Sequence, residues 1–397
     1  MPTKPRIIFL SNALDISGGE VVLIRLVENN PDIEAMLISP NPALIERLKP
    51  WLTDAVLLPC FQPLARRFPL VALKRLLINY PLSVLSIARI VRRQKCQIIM
   101  AGAFSSGIIA WLTAALTGTR AGWMHQHPVL NPLAKDTKVA AFLLARGLHA
   151  IPCSEAMARP LLNAKASAAR VSVIPNSVDT KVFDPELVSR DPVKKLLTAV
   201  PATAHRVALA AMITEWKGHQ LLVEAISILK RRGINASKLA CLMIGGVYEK
   251  RERDAAYLDR IKALAETLGV SDQIFWLGKQ TAMASLFAAS DVLLNCSIEP
   301  EPFGITIIEA MAMKRIVLVP DVGGPAEIVT DGVNGFLFKS NDASSLADRL
   351  EWILGHLDKL DNVREAARQS SVSKYQNGQM QQRYLEVFRQ MIGPTVE

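Results

Sequence analysis

Two carboxylates, Glu301 and Glu309, stand with seven residues between them in SIEPEPFGITIIEAMAMKRIVLVPDVGGPAEIVTDGVNGFLF, the stretch from Ser297 to Phe338. Phe303-Gly304 lies between them, where the chain must turn. Ile305 to Met313 then has helix-forming composition, and Ile305, Ile308 and Ala312 fall at the three- and four-residue spacing of a buried face. Glu301 therefore belongs to the loop before that helix and Glu309 to about one turn inside it. A helix N-terminus carries amides with no intrahelical partner. Beside two carboxylates that accept hydroxyl hydrogen bonds and a backbone opened by glycine, it suits a sugar and its phosphate.

The elements that must position this stretch alternate. From Arg206 onward the pattern reads strand (Arg206 to Met212), helix (Leu221 to Arg231), strand (Leu239 to Ile244), helix (Tyr257 to Leu268), strand (Gln273 to Leu277), helix (Ala282 to Ala289) and strand (Val292 to Asn295). Such alternation predicts βα units on a parallel sheet. The first half has the same plan. Arg6 to Ser11 is a short strand, Gly18-Gly19 follows, and a helical pattern runs through Val22, Ile24 and Leu26. That glycine pair is either a tight turn or a loop whose amides approach a diphosphate. Arg120 to Met124 is a further strand, with His125 and His127 at its end, where parallel sheets face their ligands. A His there either donates to a substrate or caps its loop, and two of them at this spacing do not make a metal site. Ala150 to Ser154 gives another strand with Ser154 as helix cap, and Val171 to Phe183 a strand entering a Pro-Asn turn. Polar, proline-containing sequence from Asp184 to Ala204 marks a boundary. The expected organisation is therefore a domain over 1–185, a domain over 186–375 and a terminal helix over 376–397 that crosses back to the first.

Composition narrows the function. At 397 residues, half of them hydrophobic, the chain can build two ordinary cores. Five scattered cysteines without CxxC spacing read as free thiols in a reducing compartment. The apolar run at the N-terminus is too short for a signal peptide, so a cytoplasmic protein is expected. The net charge of +10 belongs entirely to residues 1–185, and Ala55 to Lys135 holds ten Lys or Arg without an Asp or Glu. Aromatic residues do not interleave with the basic ones, which argues against nucleic acid. Pro63 to Lys95 predicts one or two amphipathic helices broken at Pro69 and Pro81. They form either a solvated basic face or an interfacial surface on anionic lipid, and the latter reading is favoured by Phe61, Phe68 and Tyr80. Gln97 to Thr119 is uncharged, yet Gly102, Ser105, Ser106 and Gly107 divide it into a strand, a loop and a helix too short to span a bilayer.

The run RVALAAMITEWKGHQLLVEAI, CLMIGG, IFWLGK, LFAASDVLLNCSIEPEPFGITIIEAMA and GGPAEIVTDGVNGFLF closely resembles the donor domain of the retaining glycosyltransferases of family four. VIPNSVDTKVF resembles the segment before their interdomain hinge, and SGGEVVLIRL their first glycine loop. The resemblance implies an α/β chain of the GT-B fold, with two Rossmann-like parallel-sheet domains facing across a cleft. It implies a bacterial enzyme of the polysaccharide or lipopolysaccharide type, acting on a UDP-, GDP- or ADP-sugar with a glycolipid or polysaccharide acceptor, peripheral on the inner face of the cytoplasmic membrane. Glu309 resembles the carboxylate that holds the nucleotide ribose, and Glu301 the one facing the transferred sugar. Phe303, Gly304 and Ile305 are similar to the backbone contacts of sugar and phosphate, and Lys217 to the lysine on the diphosphate. Gly18 and Gly19 are expected at the same phosphates, Gly245 at the donor, and His125 beside the reacting sugar, with His127 as the alternative register.

No D-x-D is present, so no metal or other cofactor is implied, and Lys217 with helix N-termini must neutralise the leaving group. The family carries an arginine five residues before this lysine; here the position is Met212, and a thioether does not replace a guanidinium fork. Other readings are a soluble sucrose- or glycogen-type transferase, a sugar-nucleotide epimerase of the same fold, or a catalytically impaired nucleotide-sugar-binding subunit.

Overall fold

Short aliphatic runs without polar alternation become strands buried on both faces, and the chain has two sets of them. Residues 4–62, 74–126, 135–235, 237–247 and 252–393 are described in the computed structural model of the chain. Two compact units result: Met1–Ser177 with Asn377–Glu397, and Val178–Gln376.

The first unit contains β1 (Arg6–Leu10), β2 (Glu34–Ser39), β3 (Asp54–Leu57), β4 (Ile98–Ala101), β5 (Arg120–His125) and β6 (Leu148–Pro152), all parallel, in the order β3-β2-β1-β4-β5-β6. Ile7 of β1 stands opposite Ala35 on one side and Ile98 on the other. Right-handed crossovers place the helices leading from β3 to β6 on one face of this sheet. Their inner residues Ile87, Ile109 and Leu144 share a core with Ile99 and Trp123. Helix Asn377–Ile392 packs against helix Gly18–Val27: Gln381 Nε2 donates to the carbonyls of Arg25 at 2.9 Å and Glu28 at 3.0 Å. Tyr384 and Phe388 of that terminal helix are fully buried.

The second unit contains β7 (His205–Ala210), β8 (Leu239–Ile244), β9 (Ile274–Gly278), β10 (Val292–Leu294), β11 (Ile316–Pro320) and β12 (Phe336–Phe338), again all parallel, in the order β12-β11-β10-β7-β8-β9. Read from its first strand, this is the same order as in the first unit.

Four expectations are corrected. The boundary expected at 185 lies at Ser177, because 178–185 is held by the second unit. There Phe183 is buried with its ring 6.0 Å from Phe287, and Asp184 pairs with Arg368 at 3.2 Å. The strand expected from Val171 is a single bridge to Ala150. Pro81 does not break its helix: a wider π-type segment, Arg75–Asn79, runs directly into helix Tyr80–Gln94, whose first turn needs no amide from proline. Pro69 lies outside the described residues. Ile305 is partly exposed, and burial extends over nearly the whole of the remaining helix, Ile307 to Ala312. The cause is packing on several sides, by β10 and β11 and by helix Asp361–Lys374, whose Ser371 hydroxyl donates to the Ile308 carbonyl at 2.8 Å.

The terminal helix completes the first unit's core, so truncating its central aromatic should open that unit alone. Phe388→Ala is expected to cost about 3–5 kcal/mol, as for other large-to-small core changes. Hydrogen exchange checks it: protection should fall in β1, β4 and β5 and stay unchanged in β7 to β12.

Candidate functional site

In the second unit the chain builds outward from β7 to β9 on one side and from β10 to β12 on the other. Val207 of β7 lies opposite Val292 of β10, so the reversal occurs between two adjacent strands. Connections leaving such a pair turn to opposite faces and open a crevice at the strands' carboxyl ends. Here those connections are 211–218 and 295–304, and each brings one charged side chain to the same point.

Lys217 ends the short turn Glu215–Lys217 after β7, and its Nζ lies 2.5 Å from Glu301 Oε2. The Ser297 hydroxyl donates to the same oxygen at 2.8 Å. Lys217 Nζ also stands over the Trp216 ring, 3.9 Å from its centroid. The two charged side chains are only 18% and 10% exposed, so each offsets the cost of withdrawing the other from water. The backbone fixes them. Ile298 N donates to Trp216 O at 2.9 Å, and Gly218, at φ +70°, lies so close to Cys296 that a Cβ would stand 1.7 Å from its carbonyl oxygen. From the other side Gly324 N donates to Glu301 O at 2.8 Å. Gly323, at φ +77°, leaves no space for a Cβ against the Glu301 backbone.

Beyond Glu301 the chain turns through buried Phe303 and through Gly304, which precedes helix Ile305–Ala312 without a side-chain cap. Of the amides that begin this helix, that of Ile307 donates to Gly304 O at 3.0 Å, and no side chain caps those before it, the setting in which a helix start can face an anion. Glu309, the helix's fifth residue, is buried. Lys217, Glu301, Phe303 and Gly304 thus come from the two connections, and Ile305 and Glu309 from the helix that follows the second. Gly245 has a packing duty: it follows β8, and a Cβ there would stand 1.8 Å from Ala211 O. Met212 is half-buried in the β7 connection.

His219 follows the Lys217 turn and is buried edge-on to Tyr257 at 6.5 Å. Burial above all, with Lys217 adding, lowers its pKa to about 4, and a hydrogen bond to the Thr214 backbone partly opposes them. Sequence reasoning missed Ser297, Trp216 and His219. Only the proximity of Ser297 to Glu301 in the chain could have pointed to it, since loop contacts carry no periodicity.

In the first unit, Gly18 and Gly19 open helix Gly18–Val27 after β1. Glu20 folds back over Ser17, accepting from its amide at 3.1 Å and its hydroxyl at 2.6 Å. A Cβ on Gly19 would meet only Gln126 Cβ at 3.8 Å, an ordinary contact, so the fold itself does not demand glycine there. His125 ends β5, buried, its ring 4.2 Å from Trp123. His127 lies outside the described residues. Among the described residues no three His, Cys, Asp or Glu gather as a metal site would require.

Residues 199–370 match the family described as glycosyl transferases group 1, a span that includes all of β7 to β12 and both connections just described. The wider chain resembles a crystal structure of a glycosyltransferase from Rickettsia africae, with a TM-score of 0.83, 25% identity and coverage of 99% of this chain and 100% of that one. Anabaena HepE in complex with UDP-glucose superposes with a TM-score of 0.80 at 20% identity, covering 96% and 98%. The architecture is the GT-B fold. Among curated relatives, N-acetyl-alpha-D-glucosaminyl L-malate synthase of Bacillus anthracis is 31% identical over 128 residues, 32% of this chain. The aligned part spans only 33% of that relative's length.

The neutral His219 gives the second unit a pH signature. Its folded pKa lies below the ordinary 6.5, so its contribution to stability is complete above 6.5 and drains as pH falls toward about 4. Across that window the second unit should lose on the order of 3 kcal/mol through this group. Urea unfolding of the parent and of His219→Gln at a series of pH values checks it, the variant showing the shallower decline.

Proposed function

We propose that the chain moves a sugar, with retention of anomeric configuration and without a metal ion, from a nucleotide-sugar donor to a lipid-linked, lipopolysaccharide or polysaccharide acceptor. The observation that carries the reading is the Lys217–Glu301 contact at the point where the second sheet reverses, with Glu309 buried behind an uncapped helix start. The co-crystallisation of Anabaena HepE with UDP-glucose supports a nucleotide-sugar donor. The basic, acid-poor first half supports an acceptor held at an anionic membrane surface.

In this reading Glu309 accepts the ribose hydroxyls, Glu301 the hydroxyls of the transferred sugar, and the amides of Phe303, Gly304 and Ile305 face sugar and phosphate. Lys217 exchanges Glu301 for the diphosphate and neutralises it as it leaves. The acceptor oxygen bonds to the anomeric carbon on the face from which the phosphate departs. The carbon–phosphate oxygen bond breaks, and the departing phosphate takes the acceptor's proton. No carboxylate serves as nucleophile, unlike the paired carboxylates of retaining glycosidases. Gly18, Gly19 and His125 carry the donor-contact roles that the resemblance implies.

Met212 favours a second reading, a nucleotide-sugar-binding subunit with impaired catalysis, because a thioether stands where the family places a cation. Purified protein supplied with nucleotide sugars and polyprenyl-linked acceptors separates the two. The first reading expects product of retained configuration, its abolition in Glu309→Ala and a fall of about 100-fold in kcat for Lys217→Ala. An inverted product, or an unaffected Glu309→Ala, overturns it. Activity that appears only in Met212→Arg establishes the second.

A further inference from the structure

One helical layer of the first unit has an outer surface that its packing leaves unexplained. Helices Tyr80–Gln94, Phe104–Thr117 and Lys135–Ala145 lead from β3 to β6 and share one core face. Arg92 Nη2 donates to Leu116 O at 2.5 Å and Trp111 Nε1 to Arg146 O at 3.1 Å, which ties them into one layer. Apolar residues also lie on its outside. Leu77, Ile78, Leu82 and Leu85 are 63%, 51%, 51% and 49% exposed. Ile78, Leu82 and Leu85 step by four and three residues, with Leu77 beside Ile78, and make an outward stripe along the first helix and the π segment before it. The neighbouring helices add Leu116, 52% exposed, and Phe142, 48% exposed. This layer holds roughly half of the exposed large apolar side chains among the described residues.

Charge follows the same stripe. It continues from Leu85 into exposed Arg89, Arg92 and Arg93, with Lys95 just beyond, and Arg146 stands over the Phe142 ring at 3.7 Å. The single acid of the three helices, Asp136, is not among their exposed residues. A soluble surface of this size normally intersperses both signs and avoids clustered apolar side chains. No helix among the described residues is long and apolar enough to cross a membrane.

We propose that this three-helix layer lies flat on an anionic lipid bilayer, its leucines and Phe142 entering the headgroup boundary while Arg89, Arg93 and Lys95 meet lipid phosphates. The occupant is argued from complementarity: lipid supplies an apolar layer beneath a negative one, as the stripe presents apolar and positive groups side by side. A nucleic acid would leave the leucines without a partner, and a second copy would bring the same cations together. The proposal rests on the reading above only for the nature of the acceptor, and vesicle binding is measured without turnover, so either can fail alone.

The test is co-sedimentation of the full chain with vesicles of phosphatidylcholine plus phosphatidylglycerol, against phosphatidylcholine alone, at low and high salt. Binding should require the anionic lipid and weaken with salt. Leu82→Glu with Leu85→Glu should abolish it, and Arg89→Ala with Arg93→Ala should lower it by on the order of tenfold or more. All four positions are exposed, so thermal melting and the midpoint shift given by added nucleotide sugar should stay as in the parent. Equal binding to neutral vesicles, or variants that sediment like the parent, overturns the proposal. So does a parent dimer that the leucine variant dissolves in ultracentrifugation.

Discussion

A fully parallel sheet admits only crossover connections of one hand, and this constraint places every candidate residue. To grow in both directions from its first strand, each sheet must reverse once, between β1 and β4 in one unit and between β7 and β10 in the other. The connections leaving the reversal are the only ones that diverge, and they hold Gly18 and Gly19 in the first unit and Lys217 and Glu301 in the second. The crevice is thus a product of strand order, and the side chains in it are chemistry placed on that framework.

The second crevice is organised by charge and by the absence of side chains around it. An ammonium and a carboxylate that meet in a half-closed place must be held closely, since a loose pair would lose more hydration than it regains. Glycine supplies that closeness: Gly218 and Gly323 let two further backbones approach the segment carrying Glu301, which then has little freedom to withdraw. Burial of His219 acts in the same direction. Kept neutral, it adds no second positive charge behind Lys217, whose field is left to whatever anion faces it.

Much of this was legible in the sequence, for physical reasons. The period of the apolar runs, the strand–helix alternation and the glycine turns are local signals, so β1, β4 to β10 and the loop-then-helix setting of Glu301 and Glu309 could be read directly, while β2, β3 and β12 carried no such signal. What escaped depends on contacts distant in the chain. Nothing local assigns 178–185 to the second unit; Phe287 and Arg368 do so. Pro81 reads as a breaker because proline lacks a donor, yet the π segment before it removes the conflict. The all-round burial of the helix after Gly304 comes from a neighbouring helix some sixty residues on, whose Ser371 reaches the Ile308 carbonyl. The Ser297 contact with Glu301 likewise belongs to loop geometry that no spacing rule describes.

The terminal helix has a consequence for how the chain is made. Domains usually fold as units in the order in which the ribosome delivers them, the N-terminal one first. Here helix Asn377–Ile392, which completes the first unit, follows the whole of the second unit in the chain, so the first sheet emerges early but lacks the cover of Tyr384 and Phe388 until the second unit has been made. The second unit, continuous from Val178 to Gln376, has all its parts sooner. During that interval the part of the first unit that Tyr384 and Phe388 cover stays open beside helix Gly18–Val27, and the order of completion runs opposite to the order of synthesis.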